Sequence, residues 1–308
     1  MDKILTFIIV TWNSNDTIIE CLDSIYKFCK NFKIVIVDNK SDDNTVELLN
    51  EKKYSDCKII ALNENVGFAE GNNIGLKEVD TPYICYLNPD TILLEDIIVP
   101  SIEKLTTKKE IGLVGCKLLN RDKTLQSSTF NFVTKNQVYI ECFRIGKFFP
   151  NFIREKFFPN TSKSRKNKFV DWVIGAEMIL TTEDARKVGG FSTEYYMYAE
   201  DMDLCKKIET NLNKKTYYLA DVNLIHIGGA SEVKNVNYNK LEKVISNKIK
   251  FSNKFYGKKE SVNVRKALYN SYLIRYVIIK IFCWNKKRLY YLEKMKTGLE
   301  ICKKISIN

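Results

Sequence analysis

Over the first hundred residues, apolar runs alternate with amphipathic stretches. Ile4 to Thr11 is strand-like, Thr17 to Phe28 places Ile18, Cys21, Leu22 and Ile25 at helical spacing, and Lys33 to Val37 is a second short β-branched run. A helix around Thr45 to Lys52, a strand at Lys58 to Leu62, a helix at Ala69 to Val79 and an apolar run from Ile84 leading to Asp90 continue the alternation. Four strands separated by helices predict βαβ units and a mostly parallel sheet covered on both faces, an α/β fold. Pro89 cannot donate to a strand ladder and fixes its own φ, so the fourth strand should stop there and leave Asp90 on a stiff turn. The plainer reading of Asp90 is a cap for a helix beginning near Glu95 and Asp96.

Turn chemistry sits at each strand exit. The first ends in Thr11-Trp12-Asn13-Ser14, the second in Asp38-Asn39-Lys40-Ser41-Asp42-Asp43 and the third in Asn63-Glu64-Asn65-Val66-Gly67. Parallel strands all point the same way, so these exits and Asp90 are expected to meet at one edge, where open α/β sheets bind ligands. No G-x-G-x-x-G follows the first strand and no G-x-x-x-x-G-K-[ST] occurs, which disfavours a dinucleotide dehydrogenase and a P-loop ATPase. An edge of Thr, Asn and Asp suits a nucleobase and a ribose: the Asp38 carboxylate can accept from the N3–H of a uracil or thymine, or from a ribose hydroxyl. The alternative for Asp38 is an Asx turn into the next helix. Gly67, Gly71 and Gly75 recur every four residues in a predicted helix, where each costs about 1 kcal/mol against Ala. Close approach of the backbone to a ligand or strand is the reading for Gly67, and tight helix-on-sheet packing for Gly75.

With 308 residues, 45% of them hydrophobic, the chain can bury one large core, or one core and an appendage. The nine cysteines form no C-x-x-C pair and several lie inside apolar runs, so they read as small buried hydrophobes of a reducing compartment, with neither disulfide nor zinc site expected. The N-terminal apolar run leads into Trp12-Asn13 without a cationic start or a cleavage site, which reads as a first strand rather than a signal peptide. Charge is unevenly spread: residues 1–100 carry a net −8, residues 234–308 a net +15. A basic tail of that kind usually meets a membrane surface or a nucleic acid.

Several stretches together resemble the family 2 glycosyltransferases, and within them the rhamnosyltransferase-like branch. They are Val-Thr-Trp-Asn at 10–13, Val-Asp-Asn-x-Ser-x-Asp at 37–43, Asn-x-Gly-Phe-Ala-x-Gly-Asn-Asn-x-Gly at 65–75, Leu-Asn-Pro-Asp-Thr at 87–91, Trp-Val-Ile-Gly-Ala-Glu-Met at 172–178, and Gly189-Gly190-Phe191 leading to Tyr196-Met197-Tyr198-Ala199-Glu200-Asp201-Met202-Asp203-Leu204. The likeness runs from about residue 4 to about residue 230. It implies a GT-A fold with a mostly parallel mixed sheet, a nucleoside-diphosphate-sugar donor and a divalent metal, Mg2+ or Mn2+. It further implies that Thr11, Asn13, Asp38 and Asn39 hold the nucleoside, with Asn65, Gly67, Gly71 and Asn72 completing the donor site. Asp90 would hold the metal and Asp201 would be the base, while Trp172, Gly175, Ala176, Tyr198 and Glu200 are the candidate acceptor site. Two positions depart from the family pattern: the D-x-D metal motif is Asn88-Pro89-Asp90, and the arginine that many relatives carry in the third motif is Asn72.

The chemistry can also be argued from the residues. Sugar transfer needs the charge of the departing diphosphate neutralised, which an oxygen-seeking cation on a carboxylate does. It also needs a carboxylate within hydrogen-bond reach of the attacking hydroxyl. Aromatics at 195, 196 and 198 could wall off water and raise the carboxylate at 201 by desolvation. The plainer reading is that Glu200, Asp201 and Asp203 open a helix running to Thr210, where acids are favoured by its dipole. The single histidine, His226, ends a strand-like run before Gly228-Gly229 and is either structural, a second metal ligand or a contact to the diphosphate.

Residues 120–168 show little periodicity and read as a long irregular segment over the acceptor, with Lys163–Lys168 a solvated loop. The domain organisation expected is a catalytic domain at 1–233, with a nucleotide-binding half at 1–119 and an acceptor-binding half at 120–233, followed by a basic helical extension at 234–308. In that extension Tyr272 to Trp284, followed by Asn285-Lys286-Lys287-Arg288 and Tyr290-Tyr291, is too short and charged to span a bilayer. It reads as an interfacial helix on anionic lipid, or as a helix packed on the body or on a second subunit.

The expected activity is inverting transfer from dTDP-rhamnose, with UDP-hexose next, to a saccharide or lipid-linked saccharide in cell-surface polysaccharide synthesis, at the inner face of the membrane. A sugar-phosphate nucleotidyltransferase and a nucleic-acid-binding protein are the alternatives. The first should carry a Gly- and Arg-rich loop after the first strand, and Thr11 to Asp16 has none. The acidic first hundred residues oppose the second, so no nucleic acid is expected. Whether the chain forms a homo-oligomer stays open.

Overall fold

The computed structural model describes residues 2–50, 54–143, 166–195, 197–228, 238–282 and 288–305. The first seven elements follow the expected alternation: β1 (Leu5–Thr11), α1 (Ile18–Phe28), β2 (Phe32–Asp38), α2 (Thr45–Leu49), β3 (Lys58–Ala61), α3 (Phe68–Lys77) and β4 (Tyr83–Leu87). After them come β5 (Thr91–Leu93), α4 (Ile98–Thr107), β6 (Ile111–Leu119), β7 (Thr129–Phe130), α5 (Lys135–Phe143), β8 (Lys168–Val170), β9 (Trp172–Val173) and β10 (Glu177–Thr181). The described elements end with α6 (Thr182–Lys187), α7 (Glu200–Leu212), β11 (Lys215–His226), α8 (Tyr238–Phe282) and α9 (Arg288–Lys304).

Nine strands form one sheet in the order β3-β2-β1-β4-β10-β6-β11-β5, with β8 on β11. β1 pairs in parallel with β2 and with β4, and β2 with β3. β10 runs against both β4 and β6, while β11 runs parallel to β6. The carboxyl ends of β1, β2, β4, β6 and β11 and the start of β10 therefore all fall on one edge. That edge collects Thr11, Asp38, the turn after Leu87, Gly175-Ala176 and His226.

The sheet is covered on both faces, because its apolar strands cannot leave either face in water. On one side α1 buries Ile18, Cys21, Leu22 and Ile25, the face its spacing marked, against Phe7, Ile9, Ile34, Ile36 and Cys85. On the other, α3 packs on β1 and β2 so closely that a Cβ on Gly75 would stand 2.4 Å from Ile8 Cγ2, as the packing reading expected. Gly75→Ala should therefore lose about 1–3 kcal/mol in urea unfolding from overpacking, although Ala is the better helix former by about 1 kcal/mol. A variant as stable as the parent would mean that α3 can slide. The described cysteines are free thiols, all buried except Cys57, which is partly exposed.

Three local expectations are corrected. β4 stops at Leu87, and a further strand, β5, separates Asp90 from α4, whose first amide at Ile98 is bonded by Asp96 (2.9 Å); Asp90 is not a helix cap. Asn120 to Gln126 is a tight turn rather than irregular chain, closed by Asn120 N–H on Thr124 O and Gln126 N–H on Leu118 O. Asn, Asp and Thr bond their own backbone there, the usual chemistry of a reversal. Lys168 belongs to β8 rather than to a loop; residues 144–165 lie outside the described residues.

The chain divides into two compact units, Met1–Phe130 with Lys163–Gly228 and Asn131–Ser162 with Gly229–Asn308. The first contains the sheet. The second is built from α5, α8 and α9. Within it α8 is broken at Gly257, whose φ of 80° and ψ of 171° only glycine adopts readily. Tyr272 lies against Gly298 of α9, and Arg275 donates to the Glu141 and Cys142 carbonyls of α5. No described helix is long and apolar enough to cross a membrane.

Candidate active site

At the nucleotide end, Asp38 closes the exit of β2. Its Oδ1 accepts from the Thr11 hydroxyl (2.8 Å) and the Ser41 hydroxyl (2.6 Å), and its Oδ2 from Ser41 N–H (2.9 Å). Asp38 thus holds the turn after β2 through the residue three positions on, rather than by the two-residue reach of an Asx turn, and one lone pair on Oδ2 is left for a ligand. Asn39 bonds in two directions: its Nδ2 donates to Gly67 O (3.0 Å) and its Oδ1 accepts from Val66 N–H (3.2 Å), tying the third motif to the second. Asn65 Oδ1 holds Gly67 N–H (3.0 Å), and Gly67, at φ 87°, is glycine for its backbone conformation. Gly71 packs on Val10, where a Cβ would meet a methyl at 3.0 Å. Asn13, exposed at φ 50°, takes Asp42 N–H on its Oδ1. Asn72 is not delivered to the edge: it is buried, and its amide donates to Phe68 O of its own helix (2.9 Å).

Asp90 and His226 meet across the β5–β11 pairing, in which His226 stands opposite Thr91. His226 Nε2 lies 3.4 Å from Asp90 Oδ1, and Gly228 N–H donates to Asp90 Oδ2 (3.1 Å). Burial alone would raise the Asp90 carboxyl, but His226, whenever its ring is protonated, and the Gly228 amide outweigh it and hold the group below its ordinary value. Asn88 stands beside them with Nδ2 3.5 Å from Nε2 and with a buried Oδ1 that has no hydrogen-bond partner. Among the described residues no three His, Cys, Asp or Glu side chains cluster as ligands. A carboxylate, an imidazole and an orphaned amide oxygen nonetheless fit a Mg2+ or Mn2+ ion that takes its remaining ligands from phosphate oxygens and water.

Asp201 lies in the first turn of α7, behind two non-glycine residues in the left-handed region, Tyr198 (φ 72°) and Ala199 (φ 91°). Such strain concentrates where function needs a side chain aimed. Its Oδ1 accepts from Met202 N–H (2.8 Å) and its Oδ2 from Gly175 N–H (3.1 Å), on the turn before β10. The next residue, Ala176, accepts Asn88 N–H (2.9 Å), so one dipeptide is tied to both the Asp201 and the Asp90 segments. A Cβ on Gly175 would lie 3.4 Å from Asp201 Cβ and 3.7 Å from Phe68, whose ring meets Phe191 edge-on at 5.5 Å. Asp201 is therefore more than a helix-opening acid. Desolvation raises both Glu200 and Asp201; Asp201's charge raises Glu200 further, whereas two backbone amides partly offset the rise at Asp201. One edge thus holds a carboxylate kept ionised and a carboxylate pair pushed toward neutral pH, the separation by which acid and base roles divide. Trp172 stacks on Phe130 with centroids 4.6 Å apart. Tyr196 lies outside the described residues.

Motif reading passed over three groups. Ser41 lies inside a quoted motif with nothing to mark its side chain, and Asn88 is marked only as a departure from the D-x-D pattern. Gln126 comes from the turn after β6, and its Oε1 lies 2.8 Å from His226 Nδ1. The Asn120-x-Asp122-x-Thr124 run announces a reversal there, yet no sequence signal pairs Gln126 with a histidine a hundred residues on.

A sheet with nucleotide-type turns and acidic strand exits defines a nucleotide-sugar transferase architecture, and its fold is GT-A. Comparison with known proteins agrees: the family model described as Glycosyl transferase family 2 matches residues 6–165. The chain belongs to this family and is a glycosyltransferase. It is 26% identical over 226 residues to rhamnosyltransferase WbbL of Escherichia coli (strain K12), which covers 71% of this chain and 81% of that enzyme. It is 30% identical over 156 residues to the teichoic acid poly(glycerol phosphate) polymerase of Staphylococcus epidermidis, matching 49% of this chain and 21% of that one. Among solved structures, the mannosyltransferase of Pyrobaculum calidifontis in complex with GDP-Man and Mn2+ superposes with a TM-score of 0.60 at 14% identity, over 99% of this chain and 87% of that one. GalNAc-T7 with UDP, GalNAc and Mn2+ gives 0.61 at 10% identity, over 98% and 56%.

Proposed function

We propose that this glycosyltransferase moves a sugar, with inversion, from a nucleoside-diphosphate donor to a saccharide or lipid-linked saccharide acceptor in the synthesis of a surface polysaccharide. The observation that carries the reading is the single sheet edge to which the Asp38 turn, the Asp90–His226 pair and Asp201 all belong, with Gly175-Ala176 bonded to both the Asp201 and the Asn88-Asp90 segments and Asn39 bonded to Gly67. Asp38 offers its free lone pair to the base or ribose, and Asn39 and Asn65 hold the third motif in place around the donor. Asp201 accepts the proton of the acceptor hydroxyl as that oxygen attacks the anomeric carbon from the face opposite the diphosphate. Glu200, Tyr198 and Trp172 line the acceptor side. Asp90, His226 and Asn88 Oδ1 would hold the divalent cation, whose chemistry is to neutralise the leaving diphosphate. Rhamnose is the favoured sugar, because the relative matched over most of its length is a rhamnosyltransferase.

The test is a screen of nucleotide sugars for turnover and thermal stabilisation with Mn2+ present. dTDP-rhamnose should give the largest response, and nucleoside-diphosphate affinity should depend on metal in the parent but not in Asp90→Ala. Metal-independent binding in the parent would remove the cation from the scheme, and silence toward every donor would remove the activity.

An anionic membrane is the partner proposed for the second unit. Leu273, Val277, Ile278, Ile281 and Phe282 form an exposed apolar stripe at helical spacing on α8, with Leu289 exposed on α9, in a segment rich in Lys and Arg. Cys283 to Lys287, part of the expected interfacial stretch, lie outside the described residues. Ile281→Glu with Phe282→Glu should release the protein from vesicles containing phosphatidylglycerol without changing its circular dichroism; unaltered retention would leave the stripe to another protein surface.

A further inference from the structure

The side chain of Gln126 ends a chain of hydrogen bonds in which every direction is determined. The Asp122 carboxylate only accepts, so the Thr124 hydroxyl donates to it (2.6 Å). Having given its hydrogen away, that hydroxyl accepts from Asn120 Nδ2 (2.9 Å). Asn120 Oδ1 therefore faces onward and accepts from Gln126 Nε2 (3.1 Å), which also donates to the main-chain oxygen of His226 (3.2 Å). Reversing the Gln126 amide would set its oxygen against two oxygens. Its Oε1 is consequently the atom 2.8 Å from His226 Nδ1, and an amide oxygen cannot donate.

We propose that Gln126 locks His226 in the Nδ1–H tautomer, so that Nε2 presents a lone pair toward Asp90 and the two side chains form a pre-oriented half-site for a divalent cation. Gln126 is a positioning residue; it acts through His226. The proposal rests on the cation assigned to this edge in the proposed function. Three details agree with a lone pair at Nε2. The 3.4 Å to Asp90 Oδ1 exceeds the 2.7–2.9 Å usual for an N–H donor on a carboxylate. Asn88 turns its Nδ2, a donor, toward the same nitrogen, and its buried Oδ1 has no hydrogen-bond partner. Metal-binding imidazoles commonly donate their other nitrogen to an oxygen acceptor in this way. The turn at Asn120–Gln126 thus sets the polarity of a ring a hundred residues away, and its Asp and Thr do more than reverse the chain.

The chain has one histidine, so protein labelled with 15N in the imidazole and carrying no histidine tag gives a single pair of ring-nitrogen signals. Recorded without metal or nucleotide at a pH where the ring is neutral, the spectrum should show Nδ1 protonated, whereas imidazole free in water favours Nε2–H. Gln126→Leu should reverse the pattern, and Mn2+ affinity followed by electron paramagnetic resonance, for the metal alone and with UDP, should fall about 10–100-fold. An Nε2–H parent would overturn the proposal even if no variant folded. So would a folded Leu variant that keeps Nδ1–H, or one that reverses the tautomer yet binds Mn2+ within threefold of the parent. These readouts involve no turnover, so the donor screen and the role of Asp201 stand or fall separately.

Discussion

Asp201→Asn should lose about 10²–10⁴-fold in transfer, the usual worth of a positioned general base, while nucleoside-diphosphate affinity stays within a few-fold of the parent. The amide keeps the volume and one acceptor oxygen, but one of the two backbone amides that the carboxylate now serves, Gly175 or Met202, loses its partner. That loss costs about 1–3 kcal/mol, so thermal unfolding should accompany the kinetics to separate lost chemistry from lost fold. Because burial raises Asp201 above the ordinary carboxylate range, the parent's kcat/KM should also fall on its acid side at a higher pH than an exposed aspartate would give. Asp201→Asn turning over within tenfold of the parent would take the base away from this residue.

A second large effect is expected at Glu177, the first residue of β10. Its carboxyl is buried between Cys85 and Cys116; Oε2 accepts from Cys116 N–H (2.6 Å) while Oε1 has no partner. Burial pushes the group up to about 7 from an ordinary 4.5. An acid raised in the folded state holds its proton more tightly folded than unfolded. Its contribution is therefore complete below pH 4.5 and is lost as pH rises through about 7, a linkage of about 3 kcal/mol. Glu177→Gln keeps an acceptor for the Cys116 amide and carries no charge. The two proteins should match near pH 4.5 in urea unfolding, and the Gln variant should be the more stable by about 2–3 kcal/mol at pH 8. Parallel curves would mean that water or a neighbouring group ionises Glu177 at little cost. Glu200 and Asp201, raised for the same reason, add to the slope with the same sign.

The candidate site was legible where one local rule decides the outcome. Pro89 bars β4 from continuing; the strand has already ended at Leu87, and Asp90 stands on the turn beyond it. The apolar positions of α1 are its buried face because helical spacing leaves them no other side. Legibility failed where the decision depended on a distant partner. Asn72 sits in a motif that implied donor contact, but helix geometry offers its amide the Phe68 carbonyl one turn back. β5 is three residues long and too brief to carry a period; it exists because β11 is there to pair with it. The Gln126–His226 bond spans a hundred residues and had no pattern to reveal it.

Alternation, turn residues and motif spacing, all of them short-range properties, were enough to declare an α/β sheet, its family and the edge on which the strand exits meet. Only the packed structure could reverse β10 against its neighbours, bury Glu177 without a counter-charge, join Gly175 to Asp201, and orient His226 on Asp90. Burial and hydrogen-bond direction belong to the surroundings of a group, and those surroundings exist only once distant segments have met.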